Sequence, residues 1–313
     1  MTQRPSVVTQ PATQFRLVVA PGGALAAVVY ADRAEVVSLP AMETMAEIGL
    51  ETAGEHDVAF AGQLDRLVVV SRVGAHARIH LVDPARCEKL AEAFFPTPLQ
   101  IAASSGDFVL ATSATTTALI DVSRRELLAA PLPTRSVIDA AAHFGPGRFL
   151  VSAGGQLEEW DARARAPTRR FRMARPLVAR HVGGTAAGIW LIARGVLDQV
   201  SLATLTGGEM QQIELPEQVE RIAAHPFGDV LAMTGTGTGH LFLIDLIARS
   251  VTSLDREGVA DIAWCGTSAN LLIGSGDGPL EMVAVTLPAV GWVVSTVPWL
   301  PSPRKLQCDV AST

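Results

Sequence analysis

Short apolar runs recur along this chain in one figure: an apolar segment, a turn of Gly, Pro or Asp, then a more strongly apolar segment. The figure reads FRLVVAPGGALAAVVYA (Phe15–Ala31), VAFAGQLDRLVVVSR (Val58–Arg72), IAASSGDFVLATS (Ile101–Ser113), VIDAAAHFGPGRFLVSAGG (Val137–Gly155), RIAAHPFGDVLAMTG (Arg221–Gly235) and DIAWCGTSANLLIGSG (Asp261–Gly276). ARHVGGTAAGIWLIARG (Ala179–Gly195) is a poorer copy. Runs this short, bounded by turn formers, predict strands. ARCEKLAEAFF (Ala85–Phe95) has the best helix propensity, but its place after LVDP makes it a closing strand and connection.

A third apolar segment follows each figure: AEVVSLP, RIHLVDP, TALIDV, LEEWDA, DQVSLA, LFLIDL and LEMVAV. Asp83, Asp121, Asp161 and Asp245 fall at matching positions in these, with Ser38, Ser201 and Ala284 in the others. An Asp or Ser there can accept a hydrogen bond from the backbone two residues on and set the next turn. A fourth strand, such as TRRFRMA or MQQIELP, closes each unit. Seven units result, at 15–50, 51–96, 97–133, 134–174, 175–216, 217–258 and 259–299, each 36 to 46 residues long. That period, with strands only, predicts an all-β fold: a seven-bladed β-propeller of four-stranded antiparallel blades, flanked by an extension over 1–14 and a tail over 300–313.

The second strands carry independent weight. ALAAVVY, RLVVV, RFLV and GIWLIA are continuously apolar rather than alternating. A strand apolar on both sides must be covered on both faces, which blades packed around an axis achieve without helices.

SAGGQLEEWDARARAP (Ser152–Pro167), TGTGTGHLFLIDLIARS (Thr234–Ser250) and SGDGPLEMV (Ser275–Val283) resemble WD40-type repeats, and HPFGDVLA (His225–Ala232) is similar to the turn before their second strand. The likeness covers residues 15–299. Trp160–Asp161 is the one literal Trp-Asp pair, and no unit has the Gly-His dipeptide before its first strand; Gly239–His240 follows a second strand instead. The resemblance implies that Trp160 and Asp161 are framework residues and that the protein is a non-enzymatic interaction scaffold. Propellers resembling this one also occur in bacterial operons beside MoxR-type ATPases and von Willebrand A-domain proteins, which implies a place in a multiprotein system.

Bulk properties narrow the classes. With 49% hydrophobic and 18% charged residues the chain is too apolar for disorder. Its net charge of −6 gives no global attraction to nucleic acid. Cys87, Cys265 and Cys308 lie far apart and indicate neither a disulfide framework nor a zinc site. The N-terminus MTQRPSVVTQPATQ lacks the apolar core of a secretory signal, so a cytoplasmic location is expected. Met282–Pro303 is long enough to span a bilayer and carries no charge, yet Pro288, Pro298, Pro301 and Pro303 interrupt it; two short strands fit better than a membrane anchor.

Motif by motif, the chemistry is thin. TGTGTGH (Thr234–His240) suggests a phosphate cradle, but no Lys follows, and a hairpin turn explains it. PGGALAAVV (Pro21–Val29) leads into a strand, not the helix of a dinucleotide site. No GxSxG, HExxH or calcium loop occurs. His76 and His80 on one strand stand about 13 Å apart, too far for one metal. Glu158 and Glu159 are neighbours on a strand and point to opposite faces. His143 and His225 read as equivalent turn positions. No cofactor or metal is expected. The alternative to a scaffold is a propeller enzyme, such as a lactonase-like hydrolase, or a small-ligand binder, for which Asp139, Arg221 and Asp261 are the first-strand charges to test.

Charge gives the clearest local signal. Arg163, Arg165, Arg169, Arg170, Arg172, Arg175 and Arg180 fall within 18 residues that hold no Asp or Glu. On an outermost strand they are either an edge guarded against strand addition or a docking patch for an acidic protein segment. Nucleic acid fits less well, because only Phe171 could stack on bases. The expected partner is therefore a protein, with this chain a monomeric module.

Overall fold

Each apolar run becomes a strand of four to eight residues, and consecutive strands within a blade pair antiparallel. The computed structural model describes residues 15–50, 55–123, 127–132, 137–171, 178–185, 188–193, 196–200, 211–225, 228–266, 269–275, 280–285, 294–298 and 306–309. Blade 1 holds β1 (Arg16–Val19), β2 (Leu25–Val29), β3 (Arg33–Ser38) and β4 (Thr44–Gly49). Blade 2 holds β5 (Glu55–Ala61), β6 (Arg66–Val73), β7 (His76–Asp83) and β8 (Glu88–Phe95). Blade 3 holds β9 (Gln100–Ser105), β10 (Phe108–Thr112), β11 (Thr117–Asp121) and β12 (Leu128–Pro131). Blade 4 holds β13 (Ile138–His143), β14 (Arg148–Ala153), β15 (Gln156–Asp161) and β16 (Ala166–Phe171). Blade 5 holds β17 (His181–Thr185), β18 (Gly188–Ala193), β19 (Val196–Val200) and β20 (Gln211–Glu214). Blade 6 holds β21 (Val219–Ala224), β22 (Val230–Gly235), β23 (Leu241–Asp245) and β24 (Ser250–Ser253). Blade 7 holds β25 (Val259–Trp264), β26 (Asn270–Ser275), β27 (Glu281–Val285) and β28 (Val294–Pro298). The fold is an all-β, seven-bladed propeller.

The ring closes. Each first strand contacts the first strand of the next blade, and β25 contacts β1. Seven apolar clusters lie one at each blade interface. In β6, Leu67 and Val69 enter the cluster toward blade 1, while Val68 and Val70 enter the one toward blade 3. That alternation between two buried faces is why the second strands read as unbroken apolar runs. Each such fully buried Val or Leu contributes about 1.5–3 kcal/mol. The last cluster joins Leu272 and Met282 of blade 7 to Phe15, Leu17 and Val28 of blade 1. Gly274 makes that seam possible, because a Cβ there would sit 1.9 Å from the Phe15 ring.

The tail adds β29 (Leu306–Asp309), which pairs parallel with β4 as a fifth strand of blade 1, Cys308 opposite Ile48. Cys87 packs against the cluster containing Ile48 and is disulfide-bonded, which corrects the expectation drawn from cysteine spacing. Cys265 is a buried thiol outside any disulfide, and burial pushes it up to about 12. The apolar stretch Met282–Pro303 holds β28 and all of β27 but its first residue, Glu281, and no helix among the described residues is long and apolar enough to cross a membrane.

Candidate functional site

The arginine run splits into separate environments. Arg163 and Arg165 are exposed in the turn from β15 to β16, and Arg169 is exposed on β16, the outermost strand of blade 4. Arg169 lies over the Phe171 ring, 5.1 Å from its centre. Arg170 donates twice to Glu158, at 2.9 and 2.7 Å, and is thereby neutralised. Glu159 is held by Arg148 at 3.0 Å. Arg180 is at the entrance to β17 and lines the central channel, not the blade edge. Arg172 and Arg175 lie outside the described residues.

The aspartates at the ends of third strands set the following turns. Asp83 accepts from the backbone N–H of Ala85 and Arg86, Asp121 from Ser123, Asp161 from Arg163 and Ala164, and Asp245 from Ile247 and Ala248, all between 2.8 and 3.2 Å. Trp160 is buried at the interface of blades 3 and 4, its Nε1–H donating to Glu158 at 3.0 Å.

The first strands line a central cavity of about 930 Å³. Small residues, among them Ala102, Ala103, Ala140, Ala141 and Gly183, leave it wide. Asp139, Arg221 and Asp261 all line it, joined by Arg16 and Glu220. Bulges at Asp139, Glu220 and Ala260 occupy the same position in blades 4, 6 and 7, where a bulge re-aims side chains. Ion pairs and backbone contacts lace the blades at this end. Arg16 pairs with Asp57, and Arg221 lies 3.7 Å from Asp261. Asp261 also accepts from the N–H of Leu17 at 2.8 Å and of Ile262 at 2.9 Å; Asp57 accepts from that of Ile101 at 3.2 Å. Burial pushes the Asp261 carboxyl up despite those bonds. Burial likewise holds Arg16 below its ordinary range, and the positive charges of Arg221 and Arg72 act in the same direction. His181 is lowered by burial, with Arg221 and Arg180 adding to the effect.

Sequence reading missed Arg16, Asp57, Arg72 and Glu220, because their company comes from blades distant in the chain. It also misaligned the histidines. Strand pairing makes His225 the equivalent of Phe144, one residue past His143: the Phe144 N–H donates to Arg148 O as the His225 N–H donates to Val230 O. His143 instead meets Ser105 Oγ at 3.0 Å. TGTGTGH is the turn between β22 and β23, where His240 bridges Glu217 at 2.5 Å and Glu257 at 3.3 Å. Among the described residues, no group of three or more His, Cys, Asp or Glu could hold a metal ion.

No family model and no curated protein matches the chain. Solved structures do. The propeller domain of Cps50 (Swd1) from Myceliophteria thermophila is similar with a TM-score of 0.68 at 14% identity, covering 88% of this chain and 100% of that one. A chain of the mitotic checkpoint complex gives 0.63 at 15%, covering 90% and 94%. Hsv2 of Kluyvelomyces marxianus gives 0.65 at 10%, covering 91% and 97%. At these identities the likeness is one of fold, and in fold the chain is a divergent WD40-like seven-bladed β-propeller.

Proposed function

We propose that this chain is a non-enzymatic scaffold that docks an acidic segment of a partner protein on the outer edge of blade 4. The supporting observation is the grouping of Arg163, Arg165 and Arg169, exposed and without a carboxylate partner among the described residues, beside Arg170 and Arg148, which have one. Guanidinium groups suit bidentate recognition of carboxylates, and a rigid sheet edge holds them at fixed spacing. One of the similar structures belongs to a multiprotein complex, which supports protein partners in general. The enzyme alternative gains less, because Asp139 and Asp261 already accept backbone N–H groups, from Gly154 and from Leu17 and Ile262.

The test compares proteins captured from the native host by the wild type and by a variant carrying Arg163→Glu, Arg165→Glu and Arg169→Glu. The docking reading expects partners to be lost from the variant while its circular dichroism stays unchanged. Recovery of the same partners at the same yield by both would contradict it.

A further inference from the structure

The outer edge of blade 1 is finished differently from the others. Among the described residues it is the blade with a fifth strand, β29, which comes from the chain's own tail and pairs parallel with β4. Parallel pairing is the weaker kind per residue, and the ladder of so short a strand barely offsets the entropy lost in ordering it. Such a strand needs a second anchor.

Cys87 stands where that anchor would act. It lies in the β7–β8 turn of blade 2 with φ at 57°, four residues after Asp83. Met42, four residues after Ser38, has φ at 59°, and Arg165 and Arg249, four after Asp161 and Asp245, have 54° and 55°. The left-handed residue is thus a feature of the repeat and is not imposed by the bond. In blade 1 this position faces the preceding blade, since Met42 packs among Leu272 and Met282 of blade 7. Cys87 does the same one blade further on, packing against the cluster that holds Ile48 of blade 1. Ile48 is the β4 residue opposite Cys308 in β29.

The chain has three cysteines; Cys87 is disulfide-bonded, and Cys265 is outside any disulfide, at the seam between blades 7 and 1. We infer that Cys87 is bonded to Cys308 and that this bond is a redox clasp on the tail. Oxidised, it straps the tail of blade 7 across the edge of blade 1 to blade 2. Reduced, it lets β29 leave and bares the β4 edge, a template for strand addition. An external dithiol opens it: one thiolate attacks the Cys87 sulfur, forming a mixed disulfide and releasing Cys308 as a thiolate that takes up a proton. The second thiol of the reagent then displaces Cys87, leaving two protein thiols and a cyclic disulfide. Cys87 is half-buried between the exposed Arg86 and Glu88, so its turn is open to such a reagent. The clasp is independent of the blade-4 edge.

Two measurements on the full chain test this. Tryptic digestion without reductant should yield Cys87–Lys89 joined to Leu306–Thr313. Alkylation of Cys308 in the native, unreduced protein, or Cys87 joined to Cys265, would overturn the pairing. Hydrogen–deuterium exchange then reads the strap. Dithiothreitol should speed exchange in β4 and β29 by about tenfold or more while β12 and β16 keep their rates, and oxidised glutathione should restore the slow rates. Cys87→Ser and Cys308→Ser should exchange fast with or without dithiothreitol, whereas Cys265→Ser should respond as wild type does. Equal exchange in β4 and β29 of the wild type before and after reduction would overturn the clasp, whether or not the variants fold.

Discussion

At Gly274 a single hydrogen atom decides whether blade 7 can meet blade 1. The Phe15 ring occupies the space a Cβ would take, and the ring is itself packed edge-on against Tyr30. Gly274→Ala must push Phe15 aside in a filled interface, which costs about 1–3 kcal/mol; denaturant unfolding should show that loss with little change in slope. Glu158 is a second such position. It accepts from the buried Trp160 N–H while holding Arg170. Glu158→Ala should destabilise by about 1–3 kcal/mol, chiefly by leaving the indole N–H unsatisfied in the interior, and a loss no larger than that of Glu159→Ala would contradict this role. The sequence made the turn-setting aspartates legible because their partners lie two or three residues on. Arg16 and Asp57 were illegible for the opposite reason: 41 residues separate them, and only the ring brings them together.

At the scale of the element, the β22–β23 turn is tied to its neighbours by charge. His240 is raised above its ordinary value by hydrogen bonds to Glu217 and Glu257, and Glu217 is lowered by those from His240 and Thr238. A raised histidine stabilises fully below its unfolded pKa of about 6.5 and loses that contribution as pH rises through the folded value. A lowered glutamate contributes above about pH 4.3 and loses its contribution as pH falls. The thermal midpoint of wild type should therefore exceed that of His240→Gln by more at about pH 5.5 than at about pH 9; an equal gap at both would show that the ion pair does not act. Period and turn chemistry were enough to read TGTGTGH as a hairpin. They could not reveal its neighbours, nor that the turn after β21 is one residue longer than the turn after β13 and so puts His225 one place beyond the equivalent of His143, because the register of a strand pair leaves no compositional mark.

For the whole molecule, seven self-contained units account for the disc, and the tail is an addition to it. Blade 7 has its own four strands, whereas β29 covers the outer edge of blade 1. Deleting residues 300–313 should leave a folded propeller with a lower thermal midpoint and a stronger tendency to self-associate through the uncovered β4 edge, measurable by light scattering during a melt. Reducing the disulfide at Cys87, or replacing that residue by Ser, should lower the midpoint by roughly 5 °C.

The blade-4 edge and the central cavity keep their geometry only while the last blade is sealed to the first. Hydrogen–deuterium exchange across β1 and β25 reads that seal directly, since the Leu17 amide donates to Asp261 of the opposite end of the chain. The closed ring predicts that both strands are protected as strongly as β9 and β13, and that Asp261→Ala accelerates exchange at β1 before the rest unfolds. Exchange in β1 and β25 as fast as in the connecting turns, with the other blades protected, would mean an open arc and would contradict the account.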